Sequence, residues 1–170
     1  MEPSDLIVSP PLRLYLLRHG MSPSAAEAGV AKDFDRPLSD AGRAEVRKAA
    51  RHLDERGARP VLILHSPLKR AAETAREAAA VLKPAQGLEA FTPLANELSC
   101  EDLAERLRQR CRDLSEVLAV GHQPQLGELV AVLSKALCNL KPAGLAALEL
   151  EDDGSAAFLW GVNPEELPDQ

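Results

Sequence analysis

Hydrophobic and polar positions along the chain fall into short apolar runs separated by longer amphipathic ones. Residues 12–18 (LRLYLLR) are mostly apolar and lie between Pro11 and Gly20, which predicts a buried strand. Residues 21–37 carry Gly, Pro and polar side chains and are read as a loop. Ser39 then predicts a helix N-cap, with Ala41, Ala44, Ala49, Ala50 and Leu53 on a helical stripe and Gly57 as the stop. The pattern recurs in PVLILHSP (60–67), a second strand running into a loop. Ser66 is placed to cap the helix LKRAAETAREAAAVL, with Pro67 at its first position. Residues 86–100 predict a short strand and an irregular loop, and 100–111 a helix. EVLAV (116–120) predicts a strand ending at Gly121–His122, and QLGELVAVLSKAL another helix. Residues 145–160 predict a hairpin that turns at Asp153–Gly154.

Strands alternating with helices imply an α/β fold. The expected form is a three-layer sandwich: a mostly parallel central sheet, helices on both faces, and a C-terminal antiparallel hairpin at the edge. Residues 1–11 read as a flexible N-terminal arm and 12–170 as a single domain, because no linker or solenoid-length repeat divides them. With 45% apolar and 27% charged residues the chain is globular in composition. Aromatics are only 3%, so the core must come from Leu, Val and Ala, and a base-stacking surface is disfavoured. A formal charge of −6 without a basic run argues against a nucleic-acid partner. Cys100, Cys111 and Cys138 are odd in number and widely spaced, which favours neither a disulfide framework nor a zinc ribbon. No apolar run approaches the ~20 residues of a membrane span, and residues 1–13 lack the apolar stretch of a signal peptide. A cytoplasmic, soluble monomer with no membrane partner is the expectation.

In open α/β sheets, ligands bind beyond the carboxyl ends of the strands. Three predicted strand ends carry Arg18–His19–Gly20, His65–Ser66 with Arg70 one turn on, and Gly121–His122. Each residue alone has an ordinary structural explanation. Arg70 has Glu73 and Glu77 within helical reach, His52 sits on an amphipathic helix, and His65 is suited to a local bond. Their common topological position is what singles out Arg18, His19, Arg70 and His122. Such a cluster suits a dianionic phosphoryl group, which guanidinium groups grip in a fork. The helix beginning near Ser66–Pro67 would aim its N–H groups at the same place, and Gly20 would let the backbone pass close to the ligand. Guanidinium groups beside a cation would be repelled, and neither HExxH nor GxSxG is present, so no metal, cofactor or serine nucleophile is expected.

LYLLRHG, RPLSDAGRAEVRKAARHL, HSPLKRAAETA and VGHQPQLGELV, in this order and spacing, resemble the histidine phosphatase (phosphoglycerate mutase-like) superfamily. The small size and lack of a cap insertion make the chain look like its SixA-type phosphohistidine phosphatases. The resemblance runs from about Leu12 to Trp160. It implies that His19 is the nucleophile, that Arg18, Arg70 and Arg36 hold phosphoryl oxygens, and that His122 adds a hydrogen bond. It also implies a phosphorylated protein with a histidine-phosphorylated domain, or a phosphometabolite, as substrate. Many SixA-type relatives carry an acidic residue where this chain has Met21. Glu97, Glu101, Asp102, Asp33 and Asp35 are the candidates for a proton donor. A phosphorylated imidazole can leave as neutral imidazole when its ring is protonated, so phosphohistidine needs such a donor least. The expected function is therefore hydrolysis of protein phosphohistidine. A small-molecule phosphomonoesterase and a non-catalytic phosphate-binding module are the alternatives.

Overall fold

The structure, a computed structural model, describes residues 10–168. Most of the expected N-terminal arm, residues 1–9, lies outside the described residues. Strand β1 (Leu12–Arg18) is the element around which the fold is organised. Its side chains alternate between two apolar layers: Leu14 and Leu16 enter one, Tyr15 and Leu17 the other. A strand apolar on both sides must be covered on both sides, and the rest of the chain does this.

The other strands are β2 (Leu62–His65), β3 (Leu88–Ala90), β4 (Glu116–Gly121), β5 (Leu145–Leu150) and β6 (Ala156–Val162). They form one six-stranded sheet in the order β3-β2-β4-β1-β5-β6. The first four strands of that order pair in parallel, and β5 and β6 add the antiparallel hairpin at the edge. The helices are α1 (Ala25–Ala28), α2 (Asp40–Glu55), α3 (Lys69–Leu82), α4 (Cys100–Arg110) and α5 (Gln125–Ser134). Ala49, Ala50, Leu53, Ala71, Ala75 and Ala78 bring α2 and α3 onto the Tyr15–Leu17 face. Short alanine side chains let both helices sit close to the sheet, which is how a chain so poor in aromatics fills this layer. Leu103, Leu107, Leu126, Leu129 and Val130 bring α4 and α5 onto the opposite face. Connections from the adjacent strands β1 and β4 thus leave on opposite sides, which opens a crevice at their carboxyl ends.

Several local expectations are corrected. Ser39 does cap α2, accepting the N–H of Gly42 at 2.9 Å. Ala41 and Ala44, however, are exposed, and the buried stripe is Gly42, Val46, Ala49, Ala50 and Leu53. Position 42 must be glycine because a Cβ there would run into the Met21 backbone. The 21–37 loop contains α1, capped by Ser24, and a short 3-10 turn at Asp33–Asp35. Ser66 is not the N-cap of α3: the cap is Leu68, two residues later, and Ser66 Oγ accepts the Leu68 N–H at 3.2 Å. Helix α5 stops at Ser134, where Lys135 turns left-handed, short of Leu137. Among the described residues no helix is long and apolar enough to cross a membrane.

Candidate active site

Strand register builds the site. Arg18 lies opposite Gly121, and His65 lies opposite Val120. The next residues along, His19, His122 and Ser66, therefore emerge side by side where β1, β4 and β2 end. Backbone bonds fix them there: His19 N–H donates to Gly121 O and Ser66 N–H to Val120 O, each at 3.0 Å. The His19 and His122 rings are 5.1 Å apart, centroid to centroid. Together with Arg18, Asp33, Arg36, Leu68, Arg70, Ala95, Asn96 and Gln123 they line a cavity of about 360 Å³. A larger cavity of about 610 Å³ lies at the amino end of β1, between Leu12, Arg108 and Leu150. It contains no histidine, so volume alone does not locate the chemistry.

The His19 tautomer follows from its contacts. Nδ1 lies 2.8 Å from Gly20 O, and a carbonyl oxygen only accepts, so the hydrogen is on Nδ1. In the neutral ring Nε2 then keeps its lone pair. Neutrality is enforced mainly by burial, then by Arg70, Arg18 and Arg36, against the opposing bond to Gly20; the pKa falls to about 4. His122 is pushed to about 3, mainly by burial, then by His19, Arg70 and Arg18, with Asp33 opposing. Neither ring is thus expected to take up a proton between about pH 8 and about pH 5. The unfolded chain protonates near its ordinary value of about 6.5, so these rings lower stability as pH falls from there toward about 4. Titration of the ring Cε1–H resonances by NMR tests this, and a midpoint near the ordinary value at either ring would contradict it.

The charged lining is unbalanced. Arg18 donates from Nη1 to Leu140 O at 3.0 Å and has no carboxylate partner among the described residues. Its desolvation lowers its pKa, the mark of a half-buried cation without a counter-ion. Arg70 is only 8% exposed, and its pair is Asp33 rather than Glu73 or Glu77. Its Nη2 donates to Asp33 Oδ2 at 3.1 Å and its Nη1 to Asp33 O at 2.9 Å. Glu73 and Glu77 are taken up by Arg43 and Arg47 on α2. Arg36 reaches Asp33 Oδ1 at 2.9 Å and is oriented by Pro23 O at 2.7 Å. Bonds from Arg36 and Arg70 hold the Asp33 carboxyl below the usual carboxylate range. Three guanidinium groups therefore face one carboxylate beside a neutral imidazole.

Not every residue singled out from the sequence lines the cavity. Gly20 is buried, and a Cβ there would lie 2.8 Å from Val46 Cγ2 and 2.9 Å from Gly42 O, so α2 packing demands the glycine. Ser66 is fully buried, with Oγ 2.7 Å from His122 Nε2. His65 bonds locally, Nδ1 to Ser66 O at 2.8 Å, and His52 packs edge-on against Trp160. The Met21 side chain, 46% exposed, is not part of the lining. Of the candidate acids only Asp33 lines this cavity; Glu101 lines the larger cavity at the amino end of β1, and Asp102 lies with Arg106 on α4.

Asn96 and Gln123 were not anticipated. Asn96 and Gln125 exchange bonds, Asn96 N–H to Gln125 Oε1 at 3.2 Å and Gln125 N–H to Asn96 Oδ1 at 3.1 Å. That pair ties the 91–99 loop to the start of α5. A buried glutamine in the otherwise apolar start of the 125–137 helix was the available signal.

Sequence and structure comparisons agree with this geometry. The profile of the histidine phosphatase superfamily (branch 1) matches residues 14–95. An uncharacterised protein of Picosynechococcus sp. is 36% identical over 143 residues, 81% of this chain and 84% of that protein. An uncharacterised chloroplastic protein of Arabidopsis thaliana is 32% identical over 158 residues, 86% of this chain and 72% of that protein. The protein histidine phosphatase SixA, solved with tungstate, superposes with a TM-score of 0.83 at 25% identity, over 91% of this chain and 98% of SixA. With the matched segment carrying both Arg18–His19 and Arg70, the chain belongs to the histidine phosphatase superfamily, in its SixA-type form.

Proposed function

We propose that the protein is a phosphatase that hydrolyses phosphohistidine on a protein through a phosphorylated His19. The observation that carries this is the excess of guanidinium groups around an imidazole whose Nε2 is free. SixA, whose fold the chain shares, binds tungstate, a tetrahedral oxyanion like phosphate, which supports an oxyanion site here. In the first step His19 Nε2 attacks phosphorus and the substrate's P–N bond breaks. The departing ring, already protonated, leaves as neutral imidazole. Charge developing on the phosphoryl oxygens meets Arg18, Arg36 and Arg70. The Nδ1–H bond to Gly20 O steadies the positive ring that results. In the second step water attacks phosphorus, the P–Nε2 bond breaks, and inorganic phosphate leaves.

Phosphohistidine is favoured over alkyl esters by the state of Asp33. It is the one carboxylate among the lining residues, and two guanidinium groups keep it ionised, so it holds no proton to give. An alkoxide leaving group needs that proton; a protonated imidazole does not. General acid catalysis contributes about 10²–10⁴-fold, which is the selectivity expected against alkyl phosphates. A series of phosphate esters of graded leaving-group pKa tests this. The expected result is a steep dependence that Asp33→Asn leaves steep, together with tighter tungstate binding once the carboxylate no longer competes for Arg36 and Arg70. A flat dependence in the native protein, made steep by Asp33→Asn, would identify Asp33 as the acid and favour a small-molecule phosphomonoesterase.

A further inference from the structure

Ser66 and His122 form a pair whose hydrogen can be placed. Ser66 is 0% and His122 3% exposed, so both polar groups must be satisfied inside the protein. Oγ and Nε2 are 2.7 Å apart. Ser66 Oγ also accepts the Leu68 N–H at 3.2 Å. A hydroxyl has one hydrogen to give, and among the described residues His122 Nε2 is the acceptor it reaches. The oxygen has two lone pairs and could accept both N–H groups, but a fully buried O–H must itself be satisfied, so the hydroxyl hydrogen turns toward Nε2. A neutral imidazole that accepts at Nε2 carries its own hydrogen on Nδ1. Because Nε2 is committed to Ser66, Nδ1 is the ring nitrogen left for the cavity.

We propose that the Ser66 hydroxyl locks His122 in the Nδ1–H tautomer, so that His122 donates a hydrogen bond to the phosphoryl group held beside His19. Ser66 is thereby a positioning residue: it sits outside the cavity and acts through His122. This rests on the phosphatase reading for the identity of the bound group, but the tautomer itself does not. The two neighbouring rings then offer opposite functions. His19 presents a lone pair at Nε2, fixed by Gly20 O, and His122 presents an N–H at Nδ1, fixed by Ser66 Oγ. Without the hydroxyl, His122 is free to place its hydrogen on Nε2, and a lone pair at Nδ1 would repel phosphoryl oxygens. The short β2-to-α3 connection serves this placement, since Ser66 N–H is held by Val120 O on β4, the strand that leads into His122.

Long-range ¹H–¹⁵N correlation spectra of the full chain read the tautomer of each ring directly. His122 in the native protein should show a protonated Nδ1 and a bare Nε2, and tungstate should shift the Nδ1 resonance. In Ser66→Ala the His122 pattern should move toward the Nε2–H form while His19 stays Nδ1–H. The same variant should lose about 10–100-fold in kcat, with KM moving less, as expected for a lost hydrogen bond to a charged group. Should Ser66→Ala not fold, His122→Asn and His122→Gln decide the matter. Asn places its amide near the Nδ1 position and Gln near the Nε2 position, so Asn should retain more kcat/KM. An Nε2–H tautomer in the native protein, an Nδ1 signal that ignores bound tungstate, or Gln outperforming Asn would each overturn the proposal. An Nδ1–H tautomer that responds to tungstate in a protein that turns over no phosphoryl substrate would uphold the lock and remove only the phosphatase reading.

Discussion

His19→Ala should reduce turnover of a phosphohistidine-bearing protein by about 10⁴-fold or more, because no other lining side chain offers an unprotonated nucleophile at the carboxyl end of β1. His122 does not substitute: its Nε2 is taken by Ser66. Arg18, Arg36 and Arg70 remain in the variant, so tungstate affinity should stay within about tenfold of the native value. Steady-state kinetics and a tungstate titration on the same preparation separate the two effects. Turnover within about tenfold of native would remove His19 from the chemistry. Loss of tungstate binding along with turnover would instead point to a collapsed site.

Arg70→Ala should lower kcat/KM by about 10²-fold or more. Two things change together in this variant. One of the guanidinium groups proposed to neutralise the phosphoryl oxygens is lost, and Asp33 keeps its negative charge with only Arg36 to balance it. Adding Asp33→Asn should therefore recover part of the loss, which packing alone would not explain. Arg76 is the control: it lies on the same helix but is exposed, and Arg76→Ala should leave kinetics near normal. Equal losses at Arg70 and Arg76, measured with the fold intact by circular dichroism, would remove the special role of the α3 amino end.

What the sequence could convey depended on the range of the interaction involved. β1 is legible to the residue, because burial on both faces leaves a mostly apolar run, unbroken over Leu14–Leu17, with Pro and Gly outside it. Its location next to β4 is not written in either segment, yet the rule that ligands gather at strand carboxyl ends was enough to bring Arg18, His19, Arg70 and His122 together. Spacing failed where one short polar residue can serve several partners. Ser66 reads as a helix cap from its neighbour Pro67, but its partner is His122, 56 residues away. Gly20 reads as room for a ligand, and the occupant of that room is Val46 on α2. Asp33 could not be separated from Asp35 in the sequence, since only the turn at 33–35 decides which carboxylate meets Arg70. Ala41 and Ala44 misled for a simpler reason: alanine is indifferent to burial, whereas Val46 marks the face that must be covered.

Rapid-quench capture of the phosphorylated enzyme tests most directly whether the phosphoryl group passes through His19. The native protein is mixed with a protein carrying labelled phosphohistidine, quenched in base within the first turnover, digested, and the labelled residue identified. The expected result is label on His19 at Nε2, stable to base and lost in acid, accumulating and then decaying as inorganic phosphate appears. Phosphate released at full rate with no label on His19 at any time would contradict a covalent intermediate there and leave direct attack by water in its place.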